Sequence, residues 1–144
     1  MKIYFGGAIR GGREDAAIYL QIVSILTRYG TVLTEHIGNP ELSAFGEDLT
    51  DPEIYDRDLE WLKSCDCLVA EVTKPSLGVG FEIGKATEWG IQVLCLYRPS
   101  ESRSLSAMIA GCDKLTVEAY RSVDELDAIL TRHFGVRRPG AALL

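Results

Sequence analysis

The chain is short of basic residues: 15 lysines and arginines stand against 21 aspartates and glutamates, a formal net charge of -6. That balance argues against a face built for a nucleic-acid polymer, which is normally positive. Apart from Arg137 and Arg138 the cations are scattered, so any phosphate contact must be local, made by a few residues in a pocket. No apolar run approaches ~18 residues, and no charged leader followed by an apolar stretch opens the chain. Both absences disfavour membrane insertion and secretion and point to a cytoplasmic protein, or a nuclear one in a eukaryote. The four cysteines, Cys65, Cys67, Cys95 and Cys112, fall in no zinc or redox spacing. Cys65 and Cys67 flank Asp66 at the entrance to an apolar run and read as reduced packing residues.

What is present is enough apolar matter, 47% of 144 residues, to fill one core. Short β-branched runs alternate with helical stripes. Strands are expected at Lys2 to Phe5, Thr31 to Thr34, Cys67 to Val72, Val93 to Tyr97 and Leu115 to Val117. The first helix carries Ile18, Ile22, Ile25 and Tyr29 on one face and stops at Gly30. The last starts with Ser122 and Glu125 as a capping box and stops at Gly135. Such alternation predicts an α/β fold: a flavodoxin-like, Rossmann-type open sheet of five parallel strands with helices on both faces. One domain over residues 1–135 and a loosely held tail over 136–144 follow.

In a sheet of this kind ligands bind beyond the carboxyl ends of the strands. The segment after the first strand, IYFGGAIRGGRED (Ile3 to Asp15), is rich in glycine and carries arginines as it opens a helix. It has neither the Gly-Lys-Ser/Thr ending of a phosphate loop nor the GxGxxG dinucleotide pattern. Glycine lets backbone approach a ligand, a helix start offers free N–H groups, and Arg10 or Arg13 can grip a phosphate. The same glycines also serve as plain turn residues. Further segments on this rim are Glu35 and His36, then Thr73 to Glu82, then Arg98 to Ser106.

Two carboxylates fall on inward faces. Asp58 lies within the stripe of Ile54, Tyr55, Trp61 and Leu62, on a helix expected to begin at Asp51 and Pro52. A carboxyl group there is hydrogen-bonded or has a raised pKa, as a proton donor requires. Glu82 follows a turn at Gly78 to Gly80 and shares a face with Ala86 and Trp89. The first turn of a helix would favour its ionised form, which suits a nucleophile or base. Paired carboxyl groups across a sugar carbon cleave glycosidic bonds, their separation deciding between direct water attack and a covalent intermediate. With a phosphate site beside them, the bond between base and sugar of a nucleoside monophosphate is the natural target.

Six segments in one order, IYFGGAIRGGRED, TVLTEH, DLEWL, AEVTKPSLGVGFEIGKA, LCLYRP and LSAMI, resemble the nucleoside 2-deoxyribosyltransferase family, in particular its members that hydrolyse 2′-deoxynucleoside 5′-phosphates. The likeness runs from about Ile3 to Ala110. It implies a homodimer acting on a small deoxynucleoside monophosphate, with no metal or cofactor. By that resemblance Glu82 is the nucleophile, Asp58 the acid that protonates the departing base, and Tyr4 a hydroxyl beside Glu82; without it Tyr4 reads as a core aromatic. The phosphate falls to Gly7, Ala8, Ile9, Arg10, Gly11, Gly12, Arg13, Ser76 and Gly78. His36 resembles a wall residue near the base, and also reads as a turn residue. Ser106, Ala107 and Met108 resemble residues that complete the neighbouring subunit's pocket, although Leu105, Met108 and Ile109 equally suit packing on this chain's own sheet. Ala8 stands where relatives carry Ser, which removes a hydroxyl. A deoxyribosyltransferase, a ribonucleotide N-hydrolase and a nucleotide-binding module without catalysis remain alternatives.

Overall fold

A computed structural model describes residues 1–10, 12–39, 41–43 and 46–135; Gly11 and the 136–144 tail lie outside the described residues. The elements run β1 (Lys2–Gly6), α1 (Ala16–Leu26), β2 (Thr31–Val32), a 3-10 turn (Glu35–Gly38), α2 (Asp51–Ser64), β3 (Cys67–Glu71) and α3 (Leu77–Glu88). After these come β4 (Gln92–Tyr97), α4 (Ala107–Ala110), β5 (Thr116–Ala119), a second 3-10 turn (Val123–Glu125) and α5 (Leu126–Phe134). All pairings are parallel, in the order β2-β1-β3-β4-β5, the flavodoxin-like arrangement expected from the alternation of elements.

The two-residue period of a strand sorts side chains to opposite faces. Ile3, Phe5, Cys67 and Val69 pack with Tyr19, Ile22 and Leu26 of α1 and with Leu126 and Leu130 of α5. Tyr4, Leu68 and Ala70 point the other way, onto Leu62 of α2 and Val79, Ile83 and Ala86 of α3. Both faces are therefore covered, as a sheet of near-continuous apolar strands demands. Cys65, Cys67 and Cys95 are buried and unbridged, and Cys112 is half-buried. Among the described residues no helix is long and apolar enough to cross a membrane.

Local details depart from the sequence expectation where a cap or a neighbour takes over. Helix α2 is capped one residue earlier than Asp51: Thr50 accepts from the Glu53 N–H, and the Glu53 side chain returns to the Thr50 N–H, a reciprocal box. No such box forms at Ser122; Glu125 instead accepts from the Arg121 N–H at 3.2 Å. The buried face of α1 is Tyr19, Ile22, Val23 and Leu26, with Ile18 and Ile25 at its edges. Tyr55 and Trp89, assigned to inward stripes, are exposed. Gly78 and Gly80 form no turn. They lie inside α3, whose N-cap is Ser76, accepting from the Val79 N–H at 3.3 Å.

Candidate active site

Strand order reverses direction at β1, whose neighbours β2 and β3 are reached by connections on opposite faces. A crevice opens at such a switch point, and a cavity of about 600 Å³ occupies it. Gly7, Ile9 and Arg10 form one wall, Asp51, Tyr55 and Asp58 of α2 another, and Ser76, Gly78, Phe81 and Glu82 a third. Tyr55 and Phe81, with ring centroids 6.1 Å apart, bridge the second and third walls. Glu47, from the loop before α2, completes the lining near Asp58.

Glu82 stands in the second turn of α3, beyond the reach of the helix-end dipole. Tyr4, fully buried in β1, donates its hydroxyl to Glu82 Oε1 at 2.6 Å. A Cβ at Gly6 would sit 3.2 Å from Glu82 Oε2. The glycine that ends β1 therefore leaves room for that carboxyl oxygen, where a side chain would crowd it. Burial pushes the Glu82 carboxyl up to about 7; the Tyr4 hydroxyl opposes this, and the charge of Asp58 reinforces it. The sequence expectation of an ionised carboxylate held at a helix start is corrected here: the group is the sixth residue of α3, past its first turn, and desolvation dominates. Burial, and then the Glu82 charge, push the Tyr4 phenol far above its ordinary range, so it acts as a donor only.

Asp58 faces the same cavity, and burial raises its carboxyl as expected of a proton donor; hydrogen bonds from Arg57 pull the other way. Arg57 places Nε at 2.9 Å and Nη2 at 2.7 Å from Asp58 Oδ1. The same guanidinium forks onto Glu47, Nη1 to Oε1 at 2.7 Å and Nη2 to Oε2 at 2.6 Å. It lies 4.6 Å over the Trp61 ring.

The glycine-rich loop divides into residues that face the cavity and residues that hold the loop. Gly7, Ile9 and Arg10 face it, and Arg10 reaches Asp51 at 2.8 Å across the mouth. Gly7 is backed by Tyr19 and Ile37, which a Cβ would meet at 3.1 and 3.2 Å. Three expected phosphate contacts are corrected. Arg13 spends its guanidinium on the carbonyls of Leu42, Ile37, Asn39 and Ala8. Ala8 is buried and gives its N–H to the Tyr19 hydroxyl at 3.2 Å. Gly12 gives its N–H to Ile9 O at 3.1 Å and turns the chain at φ +124°. The expected contact from Gly11 lies outside the described residues.

His36 does not line the cavity. It sits one layer behind, Nε2 3.5 Å from Glu47 and its ring 5.9 Å from that of Trp61, with burial lowering its proton affinity. Ser106, Ala107 and Met108 are exposed at the start of α4, away from this chain's cavity.

Sequence reasoning passed over Glu47 and Arg57. Neighbouring residues on a helix do not normally face each other, so an Arg-Asp dipeptide gave no signal. Glu71 was also missed, although a carboxylate inside an apolar strand is a signal. Fully buried on the α1 face of the sheet, it accepts from the Tyr120 hydroxyl at 3.0 Å, from the Thr73 N–H at 3.2 Å and from the Thr73 hydroxyl. Thr73 in turn accepts from the Arg98 N–H, and the Arg98 guanidinium pairs with Asp15. This network ties the loop that follows β3 to the start of α1, so the segments carrying Ser76 and Arg10 share one anchor.

Paired carboxyl groups at the switch point of an open sheet, one half-buried with a raised proton affinity and the other gripped by a guanidinium, make a site chemically able to do nucleophilic and acid–base work on a small molecule. The sequence profile of the nucleoside 2-deoxyribosyltransferase family matches residues 3–126, and the chain belongs to that family. It is 50% identical over 139 residues to the 5-hydroxymethyl-dUMP N-hydrolase of Tetraodon nigroviridis, covering 93% of this chain and 97% of the relative. To the human protein of the same name it is 50% identical over 143 residues, covering 96% and 82%. Among solved structures, the CMP N-glycosidase of Clostridium botulinum superposes with a TM-score of 0.64 at 16% identity, over 92% of this chain and 99% of the other. A 2-deoxyribosyltransferase of Bacillus psychrosaccharolyticus gives 0.64 at 20% identity, over 88% and 90%. At these identities the structural matches speak for the fold.

Proposed function

We propose that this chain hydrolyses the N-glycosidic bond of 2′-deoxynucleoside 5′-monophosphates, releasing the free base and 2-deoxyribose 5-phosphate. The observation that carries the reading is the placement of Asp58 and the Tyr4-bonded Glu82 in one cavity bounded by the glycine-rich loop and Arg10. The names of the full-length relatives support the substrate class and make 5-hydroxymethyl-dUMP the first compound to try.

Glu82 attacks C1′ while the C1′–N bond breaks and Asp58 passes its proton to the leaving base. Water then adds at C1′, Asp58 takes back a proton, and Glu82 is released from the ester. Tyr4 holds Oε1, so Oε2, the oxygen beside Gly6, is the attacking atom. Burial makes the ionised nucleophile reactive by keeping it poorly solvated, and the positive charge that develops on the sugar then draws Glu82 into its charged form. The 5′-phosphate docks near Gly7, Arg10 and the Ser76 cap of α3, a remote handle whose binding energy holds the sugar for attack.

Base release from a panel of deoxynucleoside and ribonucleoside monophosphates, followed chromatographically, tests the reading. A deoxynucleoside lacking the phosphate should lose at least ~10²-fold in kcat/KM; comparable turnover would remove the phosphate from the mechanism. Excess free base in the same assay reports any transfer to a second base. Ser106 to Met108 of a second copy complete the site. Their exposure, 82% at Met108, supports that placement, and a sedimentation coefficient of a monomer at assay concentration would contradict it.

A further inference from the structure

Asp58 is the acid of the proposed reaction, and a useful acid must point one particular oxygen at the departing base. On an exposed helix face an aspartate rotates freely about χ1 and presents either oxygen. Here both Arg57 contacts to it, from Nε and Nη2, fall on Oδ1, and Oδ2 is left outside the fork. The guanidinium is itself immobilised by the forked bond to Glu47 and by the Trp61 face beneath it. Planar donors of this type lose little freedom on binding, and two parallel bonds fix direction as well as distance.

From this geometry we infer that Arg57 is a positioning residue: it locks Oδ1 of Asp58 so that Oδ2 carries the proton toward the base, and it fastens the Glu47 loop to α2 as the adjoining wall. The inference rests on the hydrolase reading for the role of Asp58, while the grip itself is independent of it. A lone guanidinium beside Asp58 would strip its proton. Burial outweighs that pull, and the Glu47 charge adds to it in the same direction, so Asp58 keeps a raised proton affinity although an arginine touches it. The groups that face Asp58 are Arg57 on its own helix, Glu47 and His36 from the preceding segments, Tyr4 from β1 and Glu82 from α3. Of these, Arg57 and Glu47 should act on it in opposite directions.

The test compares Arg57→Gln, Arg57→Lys and Glu47→Gln with the unaltered protein, using carbon-detected NMR titration of the Asp58 carboxyl and pH profiles of kcat/KM. Arg57→Gln should move the Asp58 titration and the alkaline limb upward, and lower kcat ~10–100-fold with KM within ~3-fold. Glu47→Gln should move the titration downward. Arg57→Lys, which keeps charge without the fork, should restore the titration more fully than the rate. Melting curves identify any variant that fails to fold, and the remaining two then carry the comparison. An Asp58 titration indifferent to both Arg57→Gln and Glu47→Gln overturns the inference. The hydrolase reading fails separately, if the unaltered protein releases no base or Asp58→Asn keeps full activity; the carboxyl titration still reads the grip of Arg57.

Discussion

Glu82→Gln should abolish base release, by at least ~10³-fold in kcat, and at the same time make the protein more stable at alkaline pH. The first half follows from the amide: it cannot form the glycosyl ester, yet it fills the same volume and can still accept from the Tyr4 hydroxyl. The second follows from burial. In the unfolded chain this carboxyl titrates at its ordinary 4.5, and in the folded chain at about 7. The folded state therefore binds the proton more tightly, so ionising Glu82 works against folding. Below pH 4.5 the group is protonated in both states and costs nothing. Through the interval up to 7 the penalty grows, and above 7 it is complete, on the order of 3 kcal/mol at about 1.4 kcal/mol per unit. A neutral glutamine escapes most of it. Urea unfolding at pH 8 should favour the variant by about 1–3 kcal/mol, with the advantage gone near pH 4. An advantage that is the same at both pH values would show that packing, not ionisation, is responsible. In the unaltered enzyme the same titration should appear as an acid limb of kcat/KM near pH 7, since the free enzyme must lose that proton before attack.

Replacing Asp58 by Asn carries the second large effect, a loss of about 10²–10⁴-fold in kcat for ordinary bases. The size depends on the leaving group, and this separates acid catalysis from simple damage to the site. A base that departs as a stable anion needs no proton, so a deoxynucleotide bearing such a group should lose far less. An equal loss across all leaving groups would mean that Asp58 shapes the pocket without donating. The neighbourhood suits the substitution: Asn retains an oxygen for the Arg57 fork, so the helix face and the Trp61 stack should survive.

The loop from 38 to 50 marks where sequence reasoning ended. It lies between the segments that carry the family resemblance, yet Glu47 within it enters the cavity wall. Nothing in periodicity points a loop glutamate at an arginine ten residues on. The arginines of the first loop show the converse. Arg10 and Arg13 read alike on paper, and only their surroundings tell them apart: one faces the cavity mouth, and the other is consumed by four carbonyls. Glu82 was placed correctly as an inward carboxylate, but for the wrong electrostatic reason. The segment 77–81 continues the helix through Gly78 and Gly80, which moves Glu82 away from the dipole and onto the cavity wall, where partial desolvation raises its proton affinity.

The order of strands and helices, the two inward carboxylates and the family were legible in the letters, because alternation of period two and period 3.6 survives any context and the motif blocks keep their order. Which oxygen of each carboxylate is held, which arginine faces the cavity, and how tightly each acid keeps its proton were decided by the packed structure alone. Tyr4 reaches Glu82 across 78 residues of chain and the first-loop arginines find partners 29 and 41 residues away; even Arg57, next to Asp58, is oriented by Glu47 ten residues before it, and local sequence encodes neither these contacts nor the water they exclude.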